Sequence, residues 1–143
     1  AETIAAAARL SARDKALGAK GELIDRALEK LEASVAALPA DQYTVFLARA
    51  IVESARGDEK VLVASADREK LAGLERAVTA LASGSGRDLA LTYPGDPAPV
   101  EHGVELAGER DSVDLSVAGI IDGRREELTM QLASALFASG EDA

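Results

Sequence analysis

The chain has 143 residues, the size of one domain, and its 25 acidic against 16 basic residues give it a net charge of −9. This charge repels nucleic-acid phosphates and anionic lipid headgroups, and four aromatic residues are too few for a base-stacking surface. The lack of cysteine excludes disulfides, thiolate metal sites and thiol nucleophiles. No apolar run approaches the ~18 residues of a membrane span, so we expect no direct membrane insertion. Because of the charge and the few aromatic residues, we also expect no nucleic-acid binding.

A long first helix is predicted from Thr3 to Leu38, where Ala, Leu, Glu, Lys and Arg predominate and no proline occurs. Its larger apolar residues recur with the a/d spacing of a coiled coil, at Leu10, Leu17, Ile24, Leu28, Leu31, Val35 and Leu38. The a positions of the upstream half are weak: Ala7, Asp14 and Gly21. We therefore expect a helix of another chain to cover the stripe at Leu10, Leu17 and Ile24. A solvated, frayed helical end is the alternative.

The middle of the chain predicts a helix, a strand and a further helix after Pro39. The second helix covers residues 41–56, and its expected buried side carries Val45, Phe46, Ala48, Ile51 and Val52. The β-branched run of residues 61–64 predicts a central strand. Ser65 is the expected N-cap of a third helix that runs to about Ala82, with Asp67 in its first turn.

The last part of the chain predicts two more strand regions and a final helix. Residues 89–93 are predicted to form a second strand, which residues 94–99 follow as a proline-rich loop. Alternating apolar residues in 104–106 and 113–117 predict a hairpin, and a last helix over residues 121–138 uses Phe137 as a core anchor. The fold class is therefore α+β: a long, coiled-coil-like N-terminal helix, residues 1–38, leads into a globular domain, residues 39–143, with a small mixed four-stranded sheet packed by helices.

Three groups of residues could in principle carry chemistry, and each has a simpler structural explanation. Asp96, Glu101 and His102 lack the spacing of a dedicated metal site, and a lone histidine in such a loop is usually solvated. Residues 84–86, Gly-Ser-Gly, follow a predicted helix, and this position indicates a turn that ends the helix rather than a phosphate-binding loop. The remaining carboxylates fall on polar faces. We therefore predict no catalytic residue, no cofactor and no metal.

Several segments, in serial order, resemble the E subunit of V-type and archaeal-type rotary ATPases. They are LGAKGELIDRALEKL at 17–31, LPADQY at 38–43, VLVASADREKL at 61–71, the hairpin segments GVEL at 103–106 and VDL at 113–115, and LF at 136–137. The likeness runs from about residue 14 to the end of the chain. Two features depart from the family pattern: His102 stands in place of a glycine before Gly103, and residues 116–119 lack the usual polar residues before the last helix.

This resemblance implies a structural role in the peripheral stalk, or stator, of a rotary ATPase. Its N-terminal helix would pair with the helical G or H subunit, and its globular domain would attach to the B subunit of the catalytic head. It implies no enzymatic activity and a cytoplasmic location, peripheral to the membrane, in a complex that transports protons or other ions or synthesises ATP. The family's N-terminal helix is longer, so we expect this stalk helix to be a shortened one.

Two other functions remain open at this stage. One is a stator-like regulator of a flagellar or type III export ATPase, which also binds its ATPase through a C-terminal domain. The other, from a different class, is a small hydrolase that uses Asp96 or His102. The identity of the bound ATPase distinguishes the export-ATPase regulator from a rotary-ATPase stalk protein. Turnover of a substrate would identify the hydrolase.

Overall fold

The computed structural model describes residues 2–137, apart from the side chains of Glu2, Ala16 and Leu17. The helices in this range are α1 (Glu2–Ala36), α2 (Ala40–Ser54), α3 (Leu74–Gly84), α4 (Val117–Gly123) and α5 (Arg125–Phe137). The strands are β1 (Lys60–Ala64), β2 (Pro97–Ala98), β3 (Gly103–Ala107) and β4 (Ser112–Ser116), and a single 3₁₀ turn, Ser65–Asp67, follows β1. The α+β class and the long N-terminal helix are confirmed.

The sheet is mixed, with strand order β2-β1-β3-β4. Strand β1 pairs in parallel with β2 and antiparallel with β3, and β3 pairs with β4 in the predicted hairpin. Residues 61–64 therefore occupy an inner strand, as their continuous apolar run predicts. The hairpin turn closes where the Gly108 amide donates to the Asp111 carbonyl at 2.8 Å.

Helix α2 supplies the centre of the core beside the sheet, where it packs against α3, β3 and β4. Tyr43, Leu47 and Ile51 recur every four residues on one face of α2, and all three are fully buried. The predicted buried side is confirmed at Ala48, Ile51 and Val52 and wrong at Val45, which is 45% exposed, and at Phe46, which is half-buried. Tyr43 takes the central buried position instead, because its hydroxyl has a hydrogen-bond partner in the interior.

The third helix begins later than its sequence predicts, at Leu74 rather than near Ser65. The intervening residues form the 3₁₀ turn and further tight turns, and Ser65 is the first residue of that turn, whose N-cap is Ala64, rather than the N-cap of α3. Asp67 is buried with its carboxylate turned inward, instead of facing solvent in a first helical turn. Tertiary hydrogen bonds to Asp67, described below, thus override the local helix signal.

The predicted strand of residues 89–93 is also wrong. Thr92 makes a single bridge to Lys60, and the paired edge strand is the two-residue β2, inside the predicted loop. Residues 90–92 still run alongside β1, because the Thr92 carbonyl accepts the Val61 amide at 2.8 Å. The pairing with β1 is interrupted after Thr92 and resumes at Pro97.

The final helix is split in two and starts earlier than predicted. The Ser116 hydroxyl accepts the Gly119 amide at 2.9 Å, which caps α4 and places Val117 in a helix rather than in the hairpin. Arg124 ends α4 with φ −110° and ψ 15°, and α5 starts at the next residue. The glycine turn after α3 is confirmed, since that helix ends at Gly84 and Gly86 has φ +70°.

Two compact units make up the chain. The sheet unit comprises residues 32–124, and the helical unit comprises residues 1–31 with 125–143, of which 2–31 and 125–137 are described. In the helical unit, the Arg125 guanidinium hydrogen-bonds the Asp25 carboxylate, and the Lys20 ammonium lies 5.1 Å from the centre of the Phe137 ring. These contacts bring α5 against residues 20–25 of α1.

Candidate functional site

The upstream part of α1 presents apolar side chains to solvent. Every side chain described between residues 3 and 15 is exposed, and among them Ile4 is 76% and Leu10 is 60% exposed. We call this exposed segment, residues 3–15, the N-terminal face. Large apolar side chains at such exposure on a long helix are typical of a surface that another molecule covers.

The three residues expected to contact a partner helix differ in their surroundings. Leu10 is exposed, Ile24 is half-buried, and the side chain of Leu17 lies outside the described part of the structure. Farther along the same helix, Leu28 is 3% exposed. The apolar stripe is thus buried at Leu28 and exposed at Leu10.

Helix α5 does not complete a core in the helical unit. It has no fully buried residue among Arg125–Phe137, and Met130 and Leu136 are 71% and 50% exposed. Phe137, expected as a core anchor, is half-buried, with its ring against the Lys20 ammonium. Exposed apolar side chains therefore concentrate on the two helices of this unit.

A buried polar cluster of Tyr43, Asp67, His102 and Gly103, the Asp67 cluster, ties three parts of the sheet unit together. The Tyr43 hydroxyl donates to Asp67 Oδ2 at 2.5 Å, and the Gly103 amide donates to the same oxygen at 2.7 Å. His102 Nδ1 lies 3.0 Å from Asp67 Oδ1. The carboxylate thus links α2 to the start of β3.

The donors around Asp67 favour its ionised form. Burial by itself raises the pKa of this carboxyl, but the hydrogen bonds from Tyr43, His102 and Gly103 hold the pKa below its usual range. Burial, together with the Asp67 carboxylate, also raises the pKa of Tyr43, so its hydroxyl stays a donor. The cluster is therefore a satisfied ionic network rather than a pair poised to exchange a proton near neutral pH.

His102 is not the fully solvated residue that its position in a loop predicted. Its side chain is 40% exposed and contacts a carboxylate that is 4% exposed. A histidine held by a carboxylate is one part of a nucleophilic triad, but within residues 2–137 no serine or threonine hydroxyl bonds its other ring nitrogen. Asp67 and His102 are 35 residues apart, so no spacing rule in the sequence could join them.

Two surface cavities lie in the sheet unit. One, of about 290 Å³, lies between residues 68–75 and residues 93–96; the other, of about 230 Å³, lies beside the hairpin turn. Asp96 lines the first cavity and His102 lines neither, so the two residues considered for a hydrolase do not share a cavity. Across the described residues, no three or more His, Asp or Glu side chains gather as metal ligands.

No family model matches the chain. Two curated relatives come from Clostridium botulinum strains 657 / Type Ba4 and Loch Maree / Type A3, and both are named as the E subunit of a V-type proton ATPase. They are 25% and 24% identical to this chain over 139 residues, which are 96% of this chain and 70% of each relative.

This confirms the resemblance to the V-type ATPase E subunit. The similarity spans both units of the chain, so it includes the long helix as well as the sheet. Among the described residues, no helix has the length and apolar character needed to cross a bilayer.

Proposed function

We propose that this chain is a peripheral-stalk protein of a V-type or archaeal-type rotary ATPase, equivalent to the E subunit. The observation that carries this proposal is the likeness to two V-type proton ATPase E subunits over 96% of the chain. The stalk keeps the catalytic head from turning with the rotor. In this role the chain supports ATP-driven ion transport or ATP synthesis without catalysis of its own, on the cytoplasmic side of the membrane.

The N-terminal face is the proposed binding surface for a helical G- or H-type subunit. Ile4 and Leu10 are exposed there, and the heptad spacing of Leu10, Leu17 and Ile24 continues the stripe along the helix. A second helix that buries these side chains would remove apolar area from water and stiffen a helix that is weak on its own. The globular domain, residues 39–143, is the proposed attachment to the B subunit of the catalytic head.

This pairing can be tested with seam substitutions that do not disturb the sheet unit. The chain is co-expressed with the G- or H-type subunit of its source organism, and their affinity is measured by calorimetry. Leu10→Asp with Leu17→Asp places two charges in the seam and should weaken binding by roughly a hundredfold or more.

Ala5→Asp with Ala12→Asp is the matched control. It adds the same two charges seven residues apart on the same helix, but on the side opposite the a/d stripe. Its affinity should stay near that of the native chain. Equal binding by the seam variant and the native chain would refute the assignment of this surface, and binding to a flagellar or type III export ATPase instead would favour the regulator.

A further inference from the structure

The N-terminal end of α1 carries charge of the opposite sign to the rest of the molecule. Residues 1–20 have four Lys and Arg against two acidic residues, a net charge of +2, whereas twelve against twenty-three give the remaining residues −11. Such asymmetry within a chain is typical of a segment that meets a partner of its own.

One cation flanks the exposed apolar stripe directly, and two more lie close to it along the helix. Arg9, Arg13 and Lys15 are all exposed near the 60% exposed Leu10, and Arg9 and Lys15 take the outer c and b positions of the heptad. In the heptad that places Leu10 at d, Arg13 takes the flanking g position, and Lys20 takes the same position one heptad later. Residues at g face the partner's flanking positions in a coiled coil and decide which partner is accepted.

We propose that the N-terminal face binds an amphipathic helix with acidic residues at the positions that flank its apolar seam. This inference rests on the proposed function for the existence of a helical partner and adds the partner's charge. Opposite charges across the seam favour such a helix, and like charges exclude basic ones. A second copy of this chain is a poor occupant in antiparallel register, because Arg13 would then face a basic g position.

The first experiment uses two synthetic four-heptad peptides as probes. Both have Leu at a and d; one has Glu at every e and g position, and the other has Lys there. The native chain should bind the Glu peptide at least roughly tenfold more tightly than the Lys peptide, and the difference should shrink between about 50 mM and about 300 mM NaCl. Equal affinities, or no binding of either peptide, would overturn the proposal.

Charge reversal on the chain gives the complementary experiment. Arg9→Glu with Arg13→Glu and Lys15→Glu should reverse the peptide preference and weaken binding of the G- or H-type subunit by about tenfold or more. The control reverses three exposed cations of the sheet unit, Arg49, Arg76 and Arg110, and should change neither result. Unchanged peptide preference in the first variant, or its loss in the control, would overturn the proposal.

The two proposals fail separately in these experiments. If the G- or H-type subunit does not bind but the Glu peptide is preferred, the proposed function fails and the acidic-helix preference stands. If that subunit binds the native and the charge-reversed chains with equal affinity, the proposed function stands and the acidic-helix preference is wrong. Sedimentation that shows a dimer of this chain, dissociated by the reversal at residues 9, 13 and 15, would identify a second copy as the occupant instead.

Discussion

Asp67 is the residue on which the sheet unit most depends for its polar interior. The residue is buried, and its carboxylate accepts hydrogen bonds from the Tyr43 hydroxyl and the Gly103 amide and contacts the His102 ring. These donors lower the pKa of Asp67 below the unfolded value of about 3.9, although burial alone would raise it. Its ionisation therefore stabilises the fold above about pH 4, and this contribution is lost as pH falls through the lowered folded pKa.

An acid titration of stability tests this role directly. The free energy of unfolding is measured in urea between about pH 7 and pH 2 for the native chain and for Asp67→Asn. The difference between the two should be largest near neutral pH and should shrink on acidification. Hydrogen bonds from the amides of Arg56 and Gly57 lower the pKa of Glu59 against the effect of burial. Glu59 therefore adds the same pH dependence to the stability of both proteins, and this contribution cancels in the difference. A difference that is constant or grows in acid would contradict the account.

Gly103 is fixed by backbone geometry as well as by its bond to Asp67. Its φ is +108°, and an added Cβ would lie 2.7 Å from the Leu115 carbonyl oxygen and from Ser116 Cα. Gly103→Ala should therefore cost about 3 kcal/mol or more of unfolding free energy. Gly57→Ala, where an added Cβ meets nothing within 4 Å, should stay within about 0.5 kcal/mol. Chemical denaturation measures the free energy of unfolding of both variants. Similar values for the two would contradict the account, because they would show that the backbone around Gly103 can move to accommodate a Cβ.

At the scale of the element, Lys70 holds the last turn of α1 in place within the sheet unit. Its ammonium donates to the Ala36 carbonyl at 2.8 Å and lies 4.7 Å from the centre of the Tyr43 ring. A cation on the last carbonyls of a helix satisfies an acceptor that has no partner within the helix and favours the negative end of the helix dipole. Lys70 thus joins the end of the long helix to the core residue that also bonds Asp67.

Replacing Lys70 should loosen this joint without unfolding the sheet. Lys70→Met keeps most of the aliphatic stem and should cost about 1–2 kcal/mol, since a hydrogen bond from a charged donor and a cation–π contact are lost. Amide hydrogen exchange should accelerate at Ala37 and Leu38, whose amides bond the last turn, and not at β1. Lys70→Arg is the matched control, because it retains the charge. Exchange that is equally fast in both variants, or unchanged in both, would contradict this role.

The elements that the sequence predicts well are those with long or strictly alternating patterns. Helix α1 and the hairpin of β3 and β4 follow directly from heptad spacing and from period-two alternation. The predictions for the start of α3 and for a strand at residues 89–93 are wrong because contacts with distant residues determine the structure there. Asp67 accepts hydrogen bonds from Tyr43 and Gly103, and Thr92 pairs with Lys60 at only one bridge. The Asp67 cluster was missed for the same reason. The exposure of Leu10 agrees with the weak a positions in the upstream half of the helix.

At the scale of the whole molecule, the two units have different kinds of surface. The sheet unit holds its own apolar core and a satisfied polar cluster, with Val45 as its one exposed large apolar side chain among the described residues. The helical unit exposes Ile4, Leu10, Leu23, Met130 and Leu136, and among its described side chains only the large apolar Leu28 is fully buried. Exposed apolar side chains of this kind are typical of a surface that assembles with another chain.

The most direct measurement is affinity purification from the source cells through a tag on this chain. The account predicts that the catalytic-head subunits and a helical G- or H-type subunit are recovered in fixed stoichiometry, quantified by mass spectrometry. It also predicts that Leu10→Asp with Leu17→Asp releases the helical subunit while Ala5→Asp with Ala12→Asp retains it. Recovery of an export ATPase, or of this chain free of any ATPase subunit, would contradict the account.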